Sequence, residues 1–121
     1  MKAKTYLKKS LRTWNKNLTH RERIINAALG LSGEMSEITN PIKKMLYHDK
    51  PFHDVEMLLE LGDVLFYLTM MAHEFGYTLD EVMEANVEKL AKRHPQGVFD
   101  PAYHSRSTGY VGSEEVAEVA E

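Results

Sequence analysis

Leu58-Leu59-Glu60-Leu61-Gly62-Asp63-Val64-Leu65-Phe66-Tyr67-Leu68 is the stretch whose reading decides the fold. With its flanks, from about His53 to Phe75, it is apolar around nearly the whole circumference of a helix, the pattern of an element buried on most sides. In a chain of 121 residues that predicts a bundle completed by a second subunit. The interruptions fall in order. Glu56, Glu60, Asp63 and Tyr67 are spaced by 4, 3 and 4, which sets them in one stripe down a single face. Gly76 is suited to ending the helix.

A second pair of acids stands upstream, in Gly33-Glu34-Met35-Ser36-Glu37. Residues three apart on a helix share a face and lie about 4.5 Å apart along its axis. Thr19-His20-Arg21-Glu22 has the capping-box pattern and should open the helix that carries this pair. Its core stripe is Ile24, Ile25, Ala28, Leu31, Met35, Ile38, Ile42 and Met45, and beside it run Ala27, Gly30, Glu34, Glu37 and Lys44. Gly30 and Gly33 cost roughly 1 kcal/mol each relative to alanine in a helix, so close packing of a neighbour or close approach of a ligand is expected there. Asn40-Pro41 is expected to kink or restart the helix, with Asn40 capping a short extension over Ile42–Tyr47. Across a loop at His48-Asp49-Lys50-Pro51 the two helices would run antiparallel and bring Glu34, Glu37, Glu60 and Asp63 together.

Ionised carboxylates are costly to bury unless paired or bound to a cation. A site made of carboxylates alone selects a hard ion, so Mg²⁺, with Mn²⁺ as a substitute, ranks above Zn²⁺ or copper. Spacing by itself is weak. Glu81 and Glu84 match it too, but Glu81 belongs to a second capping box, Thr78-Leu79-Asp80-Glu81, and Glu84 lies on a polar side. No histidine follows a glutamate by three residues, which argues against a di-iron bundle.

The remaining elements frame this core. A first helix is expected over Thr5–Lys16, with Tyr6, Leu7, Leu11 and Trp14 at helical spacing. A fourth should run from the Thr78 box to about His94, where Pro95 stops it. On it Asn86, Lys89 and Arg93 share a face and, with Lys44, could meet a polyphosphate held by the cation. Trp14, Phe66 and Tyr67 are candidate ligand-pocket rings. The expected domain is 1–105, with Phe99 and Tyr103 docking on the bundle, followed by a loosely held acidic tail at 106–121. No segment reads as strand, so the fold class is all-α, an antiparallel bundle of four main helices completed by oligomerisation.

Composition limits the rest. At 13.9 kDa, 43% hydrophobic and 27% charged, one soluble domain is expected. A net charge of −3 disfavours nonspecific nucleic-acid binding. The absence of cysteine excludes thiolate metal sites and fits a reducing cytoplasm. No signal peptide follows the basic Met1-Lys2-Ala3-Lys4, and the longest apolar region falls short of the ~20 residues a membrane span needs.

Taken together, Glu34-x-x-Glu37 and Glu60-x-x-Asp63 resemble the metal-binding signature of the MazG-like all-α nucleoside triphosphate pyrophosphohydrolases. The resemblance extends from about Tyr6 to Arg106. It includes Ala28-Leu29-Gly30-Leu31-Ser32-Gly33-Glu34, Lys43-Lys44, Asn86-Val87-Glu88-Lys89-Leu90 and Lys92-Arg93-His94-Pro95-Gln96-Gly97. It implies a homodimer or homotetramer that uses Mg²⁺ to hydrolyse (deoxy)nucleoside triphosphates to the monophosphate and pyrophosphate, in nucleotide-pool house-cleaning. Glu34, Glu37, Glu60 and Asp63 would then be metal ligands, Glu34 or Glu37 would activate water, Lys44, Lys89 and Arg93 would contact phosphate, and Asn86 would orient the ligand. The alternatives are a dedicated dUTP, dCTP or phosphoribosyl-ATP pyrophosphatase and a non-enzymatic oligomeric nucleotide-binding module. The chain departs from the family at Asn40-Pro41 and by one extra residue before Phe99.

Overall fold

The computed structural model describes residues 1–101. They form four helices, α1 (Ala3–Ser10), α2 (His20–Tyr47), α3 (Asp54–Glu74) and α4 (Leu79–Arg93), and no strand is found among the described residues. The fold is all-α, as the periodicity predicts. Both capping boxes form. Thr19 Oγ1 accepts the Glu22 N–H at 3.3 Å while the Glu22 carboxylate accepts the Thr19 N–H at 2.8 Å. Thr78 and Glu81 repeat the exchange at 3.2 and 2.7 Å.

Two expectations on helix bounds are corrected. The first helix ends at Ser10 rather than Lys16. The Thr13 N–H and hydroxyl both bond to the Ser10 carbonyl, at 3.1 and 3.0 Å, so the oxygen that would carry the next helical bond is taken by a tighter turn. The second helix does not restart at Asn40. It runs unbroken through Pro41 to Tyr47. Proline removes one N–H from the ladder and leaves the carbonyl four residues earlier, that of Glu37, without its helical donor. The bonds on either side are enough to carry the helix past.

The chain divides into two compact units, Met1–Val82 and the part from Met83 onward. In the first, α2 and α3 pack against each other along their length, and α1 adds to α3. The core is Trp14, Ala27 and Met70, with Leu7, Leu11, Phe66, Tyr67 and Met71 packed on it. Glu74, the last residue of α3, fixes how these helices meet. Its side chain is 4% exposed and accepts hydrogen bonds from the Trp14 indole N–H at 2.8 Å and from Arg23 Nε at 2.8 Å. His20 Nδ1 lies 2.9 Å from its other oxygen, and Arg23 also donates to the Leu18 carbonyl at 2.7 Å. The start of α2 is thus held beside the end of α3, which makes the pair antiparallel.

The stripe expected to be buried all round is not covered within one chain. Leu58 and Leu59 are 67% and 64% exposed, and Leu61, Leu65 and Leu68 are exposed as well. In the second unit, α4 ends in Lys92 and Arg93, and the His94 N–H bonds to the Leu90 carbonyl at 2.8 Å. Gly97, at φ +74°, then lets the chain turn so that Phe99 meets the His94 ring at 5.8 Å. No helix of the described residues is long and apolar enough to cross a membrane. Tyr103 and the tail at 106–121 lie outside the described residues.

Candidate metal centre

Glu34 reaches across from α2 to Glu60 and Asp63 on α3. One carboxylate oxygen from each of the three lies within 4.8 Å of the others. Glu34 and Glu60 are half-buried and Asp63 is exposed, so the cluster opens to solvent on one side. Burial raises the pKa of Glu34, and repulsion from Asp63, Glu60 and Glu37 raises it further. The charged form of Glu34 is therefore disfavoured, by a field that a bound cation would reverse.

Glu37, expected as a fourth ligand, is exposed and stands outside the convergent three. It still adds its charge to the field at Glu34. With Glu60 it lines an open cavity of about 160 Å³ that continues toward the α2–α3 loop, where Pro41, Pro51, His53 and Glu56 also line it. His53, read in sequence as the start of the third helix, stands as the N-cap of α3. Its place in this wall depends on how the loop folds back, for which no local signal exists.

The other candidates are placed as follows. Lys44 is exposed in the last turn of α2. Asn86 and Lys89 are exposed and Arg93 is half-buried, all on α4 in the second unit. Tyr67 is half-buried, one turn beyond Asp63 on α3, with its ring directly over Gly30. That settles Gly30 in favour of close packing, since a Cβ there would meet the Tyr67 ring. Gly33 is different, because a Cβ there would meet nothing within 4 Å. Trp14, expected as a ligand-pocket ring, is placed in the core. It is 6% exposed, stacked edge-on with Phe66 at 6.0 Å, and its N–H is committed to Glu74.

The donor set fits a hard divalent ion. It supplies only carboxylate oxygens, on two helices anchored to each other, with an open side for water and a ligand's own oxygens. Residues 24–98 match the MazG nucleotide pyrophosphohydrolase domain. The chain belongs to the MazG family. The chain is also similar to the Gene 37 protein of Mycobacterium phage L5, 32% identical over 90 residues, which are 70% of this chain and 78% of the phage protein. No solved structure matches the chain. The three convergent acids and Glu37 all lie inside the matched MazG segment.

Proposed function

We propose that this MazG-family chain hydrolyses (deoxy)nucleoside triphosphates to the monophosphate and pyrophosphate with Mg²⁺ bound at Glu34, Glu60 and Asp63. The observation that carries the reading is the convergence of these three carboxylates on one anchored helix pair. A divalent ion held there supplies charge neutralisation for phosphate oxygens and acidifies a nearby water. Glu37, exposed at the edge of the cluster, is free to take a proton from the attacking water. Lys44, Lys89 and Arg93 are the proposed partners of the remaining phosphate charge, Asn86 orients the ligand, and Tyr67 offers a ring edge beside the acids. Mn²⁺, also a hard octahedral ion, should substitute.

The exposed leucines of α3 support a second copy of the chain as partner. Leu58, Leu61, Leu65 and Leu68 recur at spacings of 3, 4 and 3, the seam of a helix that packs on another helix. The assembly is a homodimer, or a dimer of dimers if a second face is used.

A pyrophosphate-release screen over all common NTPs and dNTPs, with Mg²⁺ or Mn²⁺, tests the activity. Turnover of several nucleotides supports a house-cleaning enzyme, and one dominant substrate a dedicated dUTP or dCTP pyrophosphatase. Binding of nucleotide without release of pyrophosphate would leave only the non-enzymatic module.

A further inference from the structure

Gly30 lies one turn before Glu34 on α2, and Tyr67 lies one turn after Asp63 on α3. They meet at the level next to the acids, where a methyl group on Gly30 would collide with the Tyr67 ring. The ring is braced from behind. Phe66 meets it edge-on at 5.2 Å and is itself stacked against the buried Trp14. At this level the separation of α2 and α3 is therefore set by an aromatic ring against bare backbone. One turn further on, Glu34 has to bring an oxygen to within 4.8 Å of Glu60 and Asp63. A hard divalent ion such as Mg²⁺ tolerates little change in the positions of its oxygens, so a shift of an ångström at Gly30 matters at Glu34.

We propose that Gly30 and the Tyr67 ring are a positioning pair that fixes the spacing of α2 and α3 at the acid cluster and thereby sets its affinity for a divalent cation. The pair acts through Glu34, with no contact to the ion required, and it rests on the cation reading above. What matters at residue 67 is the ring, since it is the ring that faces Gly30. Gly33 serves as its control, because alanine there gains the same helix propensity and displaces nothing.

The test is Mn²⁺ binding by the full chain without nucleotide, read by electron paramagnetic resonance, beside thermal unfolding in EDTA. Gly30→Ala should weaken Mn²⁺ about tenfold, the scale on which supporting residues act at metal sites. Gly33→Ala and Tyr67→Phe should bind as the unaltered chain does. Gly30→Ala combined with Tyr67→Leu should recover affinity to within about twofold. Loss of affinity in Gly33→Ala or Tyr67→Phe overturns the pair. So does equal binding by Gly30→Ala and the unaltered chain, with the cation reading left standing. No Mn²⁺ binding by the unaltered chain overturns both. If Gly30→Ala alone does not fold in EDTA, the double variant decides, and failure to recover binding in a folded double variant overturns the pair.

Discussion

Glu34 sits where burial and three neighbouring acids all oppose its charge, and that has a sign. A carboxyl whose pKa is raised on folding contributes its full stability only below the ordinary carboxylate range, and loses it as pH rises through the raised value. At neutral pH without metal the cluster therefore destabilises the fold. Glu34→Gln should raise the melting temperature in EDTA at pH 7, and the gain should disappear as pH falls below the carboxylate range. Added Mg²⁺ should raise the melting temperature of the unaltered chain and leave Glu34→Gln nearly unmoved. The acids also divide by role. Asp63→Asn should lose Mn²⁺ affinity and turnover together, by tenfold or more in binding on the order of a lost charged ligand. Glu37→Gln should keep binding and lose roughly 10²-fold in turnover, as expected for a general base. Full turnover by Asp63→Asn would sink the assignment. The acids were legible because Glu60 and Asp63 interrupt an apolar helix at one-face spacing. Spacing on one helix does not say how far a side chain must reach to the next, and so the separation of Glu37 from the other three was not legible.

At the scale of the elements, both capping boxes show how far local chemistry determines helix starts, since each depends on residues within one turn. Helix ends were harder to read. The end of α1 depends on one hydroxyl competing for a carbonyl, and Pro41 is tolerated because α2 is held along most of its length by α3. Glu74 is the other unread feature. An acid at a helix end looks solvent-facing in sequence, and the available clue was indirect: a buried Trp14 needs a partner for its indole N–H. Burial alone would raise the Glu74 pKa, but hydrogen bonds from Arg23, Trp14 and His20, with the charge of Arg23, outweigh it and lower it from 4.5 to about 2. A depressed carboxyl stabilises above its unfolded pKa and loses that contribution as pH falls through the folded one. Here this is worth about 3 kcal/mol at neutral pH, fading between pH 4.5 and about 2. Glu74→Ala should lower urea stability at pH 7 by an amount of that order, and the difference from the unaltered chain should shrink across the same acid range.

For the whole molecule, the leucines of α3 present the largest mismatch between sequence pattern and single-chain burial. The pattern predicts a helix covered on most sides, and one chain leaves Leu58, Leu59 and Leu61 more than half exposed. A fully buried leucine contributes roughly 1.5–3 kcal/mol, so leaving several in water is a strong drive to associate. Leu58→Glu with Leu65→Glu should convert the proposed homodimer to monomers at micromolar concentration, read by sedimentation velocity. An unchanged sedimentation coefficient would overturn this seam. That α3 carries more apolar surface than a packed helix needs was legible in sequence, whereas the side left open was not, because an all-round apolar helix does not show which side its own chain will cover.

The Glu74 anchor also gives the protein an internal optical gauge. Trp14 is the chain's single tryptophan, and its indole N–H ends on that carboxylate. Glu74 lies eleven residues beyond Asp63 on α3, about 16 Å along the axis from the acid cluster. Emission from Trp14 therefore reports release of this anchor, whose carboxylate stands on α3 three turns from the proposed cation site. Acid should red-shift that emission as the anchor lets go, and saturating Mg²⁺ at neutral pH should leave it unchanged, so that one fluorophore separates loss of the scaffold from filling of the site.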